Sequence, residues 1–132
     1  MSFGNYLEEA VMKHCFKGDA LTQPTNLYVA LFTTNPDEDA SGTEVTGYDY
    51  ARVNHNSWDF DGQQTGAYQV SNNGAVTFTT ATASWGTVTH FAIFDAATAG
   101  NMYAYGALDA SKTVGDGDTA DFADEALKVT LT

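Results

Sequence analysis

Three histidines, one cysteine and two acidic runs are the residues of this 132-residue chain whose types could do chemistry. His14, His55 and His90 show no HxH or HExxH spacing that would bring two imidazoles onto one metal. Structural roles are expected for all three. His14 and Cys15 adjoin, and a Cys–His pair would activate a thiol. Consecutive helical positions point about 100° apart, however, and the base of a dyad must reach its nucleophile. Cys15 has no second thiol for a disulfide or a metal pair. Asp37-Glu38-Asp39 and the trio Asp116, Asp118 and Asp121 offer oxygen ligands to a hard cation such as calcium, but neither has EF-hand spacing. Turns rich in Asp and Gly arise for backbone reasons alone. Paired carboxylates are always findable among 17 acids and discriminate nothing. With no GxSxG elbow, P-loop or dinucleotide fingerprint, the residues assign no catalytic group, no cofactor and no metal. A non-enzyme is expected.

Charge narrows the partners. Seventeen acidic and 5 basic side chains leave a formal net charge of −12, so phosphate backbones and anionic lipid surfaces should repel the chain. Neither nucleic acid nor membrane is an expected partner. The longest apolar runs fall far short of the roughly 20 residues that span a bilayer, and residues 1–20 lack the basic start and apolar stretch of a signal peptide. A soluble, reduced, cytosol-assembled protein follows as the expectation. The length suits a single domain over 1–132 with its own core, needing no metal or disulfide to fold.

The elements divide unequally. Over residues 2–17, Phe3, Tyr6, Leu7, Ala10, Val11, His14 and Cys15 recur at steps of three and four, the stripe of an amphipathic helix. Ser2 is the predicted N-cap, Lys13 and Lys17 complement the dipole in the last turns, and Gly18 suits a left-handed stop. A helix of this length is marginal alone in water. Its face of Phe3, Tyr6, Leu7, Val11 and Cys15 must therefore pack on this chain's own sheet or on a neighbouring subunit. The linker Asp19 to Thr25 is long enough for the first, which is the favoured expectation.

Residues 26–132 carry strand signals: short runs of Thr, Val, Tyr and Phe broken by Gly, Asn and Asp. The fold class expected is mainly β, an antiparallel two-sheet β-sandwich of jelly-roll or Ig-like type with one N-terminal amphipathic α-helix. Leu27 to Phe32 (LYVALF) is apolar on both faces and reads as a central strand covered on each side, the helix on one. Tyr50 to Asn54 and Ala75 to Thr79 are shorter candidates. Thr87 to Phe94 and Met102 to Leu108 should form an antiparallel hairpin, and Ala126 to Leu131 alternates with Leu127, Val129 and Leu131 inward. The expected core includes Leu27, Val29, Leu31, Phe91, Ile93, Leu127, Val129 and Leu131. Residues 55–74 are polar around three aromatics and read as a long surface loop. Trp58, Tyr68, Tyr103 and Tyr105 are the aromatics expected at partner contacts, the last two on one face of a strand; core packing or a sugar platform are the alternatives.

Three segments carry a resemblance. SFGNYLEEAVMKHCF, NLYVALFTTNPDEDASGTEVTGYDYARV and AVTFTTATASWGTVTHFAIFDAATAGNMYAYGAL, followed by a closing GDT…F…L.VTL, resemble a family of small tailed-bacteriophage virion proteins commonly labelled phage tail fibre protein. The likeness spans nearly the whole chain. It departs at Asn54 to Tyr68, richer in polar and aromatic residues than the Gly/Ala-rich stretch of the family, and at Ala120 to Glu125, which adds three acids.

The resemblance implies a non-enzymatic structural protein of a virion, assembled in the bacterial host cytoplasm and acting by surface complementarity. The first expectation is a capsid decoration or cement protein on the outer head surface. A tail or neck component such as a fibre adaptor is the alternative, followed by a glycan-binding adsorption module. Partners implied are the major capsid protein or tail and neck proteins, with the chain itself a homo-oligomer. Charge places it outside the shell, because packaged DNA would repel a strongly acidic lining.

Overall fold

A computed structural model describes residues 2–131. In chain order its elements are β1 (Ser2–Phe3), α1 (Asn5–Lys17), β2 (Tyr28–Phe32), β3 (Val53–Asn54), β4 (Trp58–Gln64) and β5 (Ala67–Asn72). Then come β6 (Val76–Thr80), β7 (Gly86–Phe94), β8 (Met102–Val114), β9 (Thr119–Phe122) and β10 (Lys128–Leu131). One layer is a five-stranded sheet in the order β1-β8-β7-β2-β3. The facing layer consists of two small sheets, β10-β5-β4 and β6-β9. All pairings are antiparallel, giving the mainly β sandwich expected.

The core lies where alternate residues of the large sheet meet the small ones. Val29, Leu31, Phe91 and Ile93 pack with Val76, Phe78, Trp85, Val88, Val114 and Leu127. The opposite face of the central strands, Ala30, Phe32, Ala92 and Phe94, joins Met102 in a second cluster. LYVALF is thus buried on both faces. Its second cover is not the helix, however, but the chain from Thr33 to Glu44, which folds back through a Thr33–Thr43 backbone bond and a Phe32–Glu44 bridge and buries Pro36.

The largest correction falls on residues 55–74. They form the β4–β5 hairpin rather than a loop, closed by Thr65 and Gly66 with φ of 48° and 85°. Two consecutive positive φ values make the two-residue turn whose twist matches flanking strands. Asp61 bulges out between Phe60 and Gly62, shifting the period of Gly62 to Gln64 by one residue. Asp61 then accepts from Gln69 Nε2 and Ser71 Oγ at 2.7 and 2.9 Å across the hairpin.

Smaller corrections share one cause, pairing between distant segments. The helix begins at Asn5, not at Ser2, because Ser2 and Phe3 are extended against Tyr105 and Ala104 of β8. Gly4 is the N-cap, and a Cβ there would collide with the Met102 carbonyl oxygen. Only Val53 and Asn54 of the Tyr50–Asn54 candidate are strand. β8 runs past Leu108 to Val114, through a bulge that sets Val88 opposite Lys112 and His90 opposite Ala107. In the expected core, Leu27 and Val129 are half-buried and Leu131 is exposed, since the partner layer ends before the tip of β10.

Candidate assembly surface

Three stretches of the sequence, GTEV, YAR and the turn after FAIF, meet in one ionic clamp. Arg52 Nε and Nη2 each donate to Glu44 at 2.8 Å, and Nη1 donates to the carbonyls of Ala96 and Ala99 at 2.9 and 2.8 Å. The guanidinium lies 3.7 Å over the Phe94 ring. Tyr50 donates to the same carboxylate at 2.8 Å and accepts the Leu31 N–H, and burial first, with Glu44 beside it, pushes its phenol well above the usual range. The clamp pins the covering loop and the β7–β8 turn to β2. It builds the platform from which the surface features project.

The first feature is the helix. Its N-terminal half rests on the start of β8, where Tyr6 lies 5.4 Å from Tyr103, centroid to centroid. Burial, then the hydrogen bond to Tyr6, pushes the Tyr103 phenol up to about 12. Phe3, Leu7, Ala10 and Val11 are half-buried, Tyr6 and Cys15 exposed, and no described helical residue is fully buried. The expected packing of the whole stripe over LYVALF is therefore not what the chain adopts: the helix contacts β8 and β1. Its C-terminal half stands free, Phe16 being 79% exposed and Met12 59%. Lys13 pairs with Glu9 one turn back. His14 Nδ1 donates to the Asp19 carbonyl at 2.8 Å and, with left-handed Gly18, closes the helix end.

The second feature is the inner face of the β10-β5-β4 sheet. Opposed residues of an antiparallel pair point to the same side, so the register puts Trp58, Phe60, Val70, Tyr68, Val129 and Leu131 on one face. Part of it walls a groove of about 490 Å³, which Phe3, Leu7, Leu27, Trp58, Ile93 and Val129 help to line. Trp58 is half-buried there, its Nε1 donating to the His55 carbonyl at 2.9 Å. Beyond the groove the sheet overhangs. Phe60 and Tyr68 stack nearly parallel with ring centroids 6.2 Å apart, with Leu131 beside Tyr68, and Phe60 is 71% exposed.

The four aromatics singled out above thus separate. Tyr68 is open, Trp58 belongs to the groove, Tyr103 packs on Tyr6, and Tyr105 packs against the second apolar cluster. A bulge at Tyr103, between the Ile93–Ala104 and Phe94–Met102 pairs, interrupts the alternation that put Tyr103 and Tyr105 on one face. Sequence reasoning missed Phe60, Leu131, Met12 and Phe16 as surface residues. Met12 and Phe16, spaced i and i+4 beside the main stripe, were a readable second row.

Other titratable residues make local contacts. The Ser41 hydroxyl first, and then the Ser41 N–H, hold the Asp39 carboxyl below the usual range, and Asp118 accepts the N–H of Gly115. His55 stacks edge-on to Trp58, and His90 Nδ1 lies 2.8 Å from Thr89 Oγ1. The three histidines sit in three separate neighbourhoods.

What the arrangement offers is contact area: a β-sandwich with an uncovered helical arm and an overhanging apolar sheet. A protein-family model described as podophage GP4 fiber I protein gp80 matches residues 2–130. The chain belongs to that family of phage fibre proteins and is a structural protein of the virion, where it associates with other virion components. No curated protein matches it. Among the described residues no helix is long and apolar enough to cross a membrane.

Proposed function

We propose that the chain decorates the outer surface of the phage head as a cement-type subunit, held to the major capsid protein and to copies of itself by surface complementarity. The observation that carries this reading is the arm: a helix whose Met12 and Phe16 stay in solvent. Exposed apolar rows of that kind are interaction surfaces. The net charge of −12 favours the outside of a shell filled with DNA. Counting copies per virion by quantitative mass spectrometry tests it. Hundreds of copies fit a head lattice, whereas about a dozen or fewer would move the protein to a symmetric tail or neck ring. That second reading, a fibre-base or adaptor subunit, is favoured by the description of the matching family as a fibre protein.

A further inference from the structure

Beside the root of the arm, separate segments of the chain wall a second concavity, of about 510 Å³. Tyr6 comes from α1, Tyr28 from β2, Tyr103 from β8 and Asp95 from the turn after β7, while Gln23 and Thr25 of the linker add side-chain oxygens. Tyr6 and Tyr103 are tilted 48° to each other, so they form adjoining walls rather than a parallel stack. Tyr28, Tyr103 and Asp95 are half-buried. After burial and Tyr6, the Asp95 charge is a further cause raising the Tyr103 phenol, which puts the carboxylate within electrostatic reach of that ring.

The lining carries charge of one sign: it holds one acid and no Lys, Arg or His. Asp95 accepts the Asn101 N–H at 2.7 Å on one oxygen and the Asn101 amide at 2.9 Å on the other, and no described cation pairs with it. A carboxylate offers about four lone-pair sites, so about two remain for a ligand. Arg52 reaches the same turn at the Ala96 carbonyl, but its side chain is only 6% exposed and its charge is matched by Glu44.

We propose that this pocket binds a primary alkylammonium group, either the side chain of a lysine on a partner protein or a free amine. Its N–H donors go to Asp95 and to the oxygens of Gln23 and Thr25. Its methylenes lie against Tyr28 and Tyr103, whose rings also attract the cation. An anion would meet Asp95 with no base in the lining to offset it, and a neutral ligand would leave that half-buried charge unmatched. The field of a chain with 17 acidic and 5 basic side chains gathers cations at the mouth. The inference goes beyond the location of the chain on the virion and holds for a head or a tail subunit alike.

Titration of isotope-labelled full-length protein tests it, with the amide NMR shifts of residues 22–28 and 95–97 as the readout. Three probes are used: butylammonium, the blocked lysine N-acetyl-lysine N-methylamide, and the ε-acetylated form of the latter, which keeps the chain and loses the charge. Both charged probes should shift these amides, less so at high salt, and the ε-acetylated probe should not. Tighter binding of the blocked lysine than of butylammonium assigns the site to a protein side chain; equal or weaker binding assigns it to a free amine. Tyr28→Leu should weaken the charged probes about three- to fivefold and Asp95→Asn about tenfold, each with unchanged circular dichroism. Tyr103→Leu replaces Asp95→Asn if the turn rearranges. Absence of shifts with both charged probes, equal shifts from the ε-acetylated probe, or an affinity that no variant lowers overturns the proposal. The last result would mark a diffuse pull of the acidic surface. Copy number per virion plays no part in these outcomes, so the pocket and the head-surface location stand or fall separately.

Discussion

Arg52 grips Glu44 with two nitrogens, each 2.8 Å from a different carboxylate oxygen, while its third nitrogen holds the backbone of a turn 44 residues further on. The Arg52 side chain is only 6% exposed and that of Glu44 23%. Truncating one partner of such a pair leaves the other's charge and hydrogen bonds unmatched. Arg52→Ala should therefore lower unfolding stability by about 3–5 kcal/mol, read from urea midpoints. Arg52→Lys should recover little of that loss, because an ammonium cannot form the fork and reach both carbonyls.

Thr65 occupies the left-handed region at φ 48°, a conformation that costs a β-branched residue roughly 1 kcal/mol. Asn is at ease there and pairs with Gly66 as the favoured hairpin turn. Thr65→Asn should raise the melting temperature by a few degrees, and Gly66→Val should lower it.

The arm has a partial hold on the sandwich through Leu7 and Val11, both half-buried. Replacing both with Asp should release the helix while leaving the sandwich folded. Hydrogen exchange of residues 5–17 should approach that of a free peptide, with the protection of β2 and β7 retained. Global unfolding of this variant would show that the arm contributes to the core after all.

Burial, then the hydrogen bond to Tyr6, pushes the Tyr103 phenol up to about 12, above the ordinary value near 10. The folded state thus holds this proton more tightly than the unfolded state does. Its contribution to stability is complete below pH ~10 and is lost as pH rises through about 12. Absorbance titration at alkaline pH should show a late-ionising phenol near 12 that Tyr103→Phe removes, while the still later phenol of Tyr50 remains.

The hairpin of β7 and β8, the both-faced burial of LYVALF and the presence of one helix ending at Gly18 were legible because each depends on residues close in sequence. Apolar periodicity and turn residues carry such information directly. Residues 55–74 were illegible for a local reason too: Trp58/Phe60 and Tyr68/Val70 keep their alternation, but it is short, and the polar side chains that bond across the hairpin around the Asp61 bulge look like loop residues. Ser2 looked like a helix cap because its competing partner, Tyr105, lies 103 positions away.

By itself the sequence determined the class of the molecule: its acidity, its one amphipathic helix, its strands, and a family likeness that extends over almost every element. Tertiary structure alone decided how far the helix is covered, which aromatics are walls and which are surface, and that Glu44, Tyr50 and Arg52 act on one another. The physical reason is that periodicity says which side of an element is apolar, whereas exposure depends on whether another layer is long enough to reach it. The large sheet stops short of Phe60, Tyr68 and Leu131, and the helix outruns β8, so side chains with core-like chemistry remain in water.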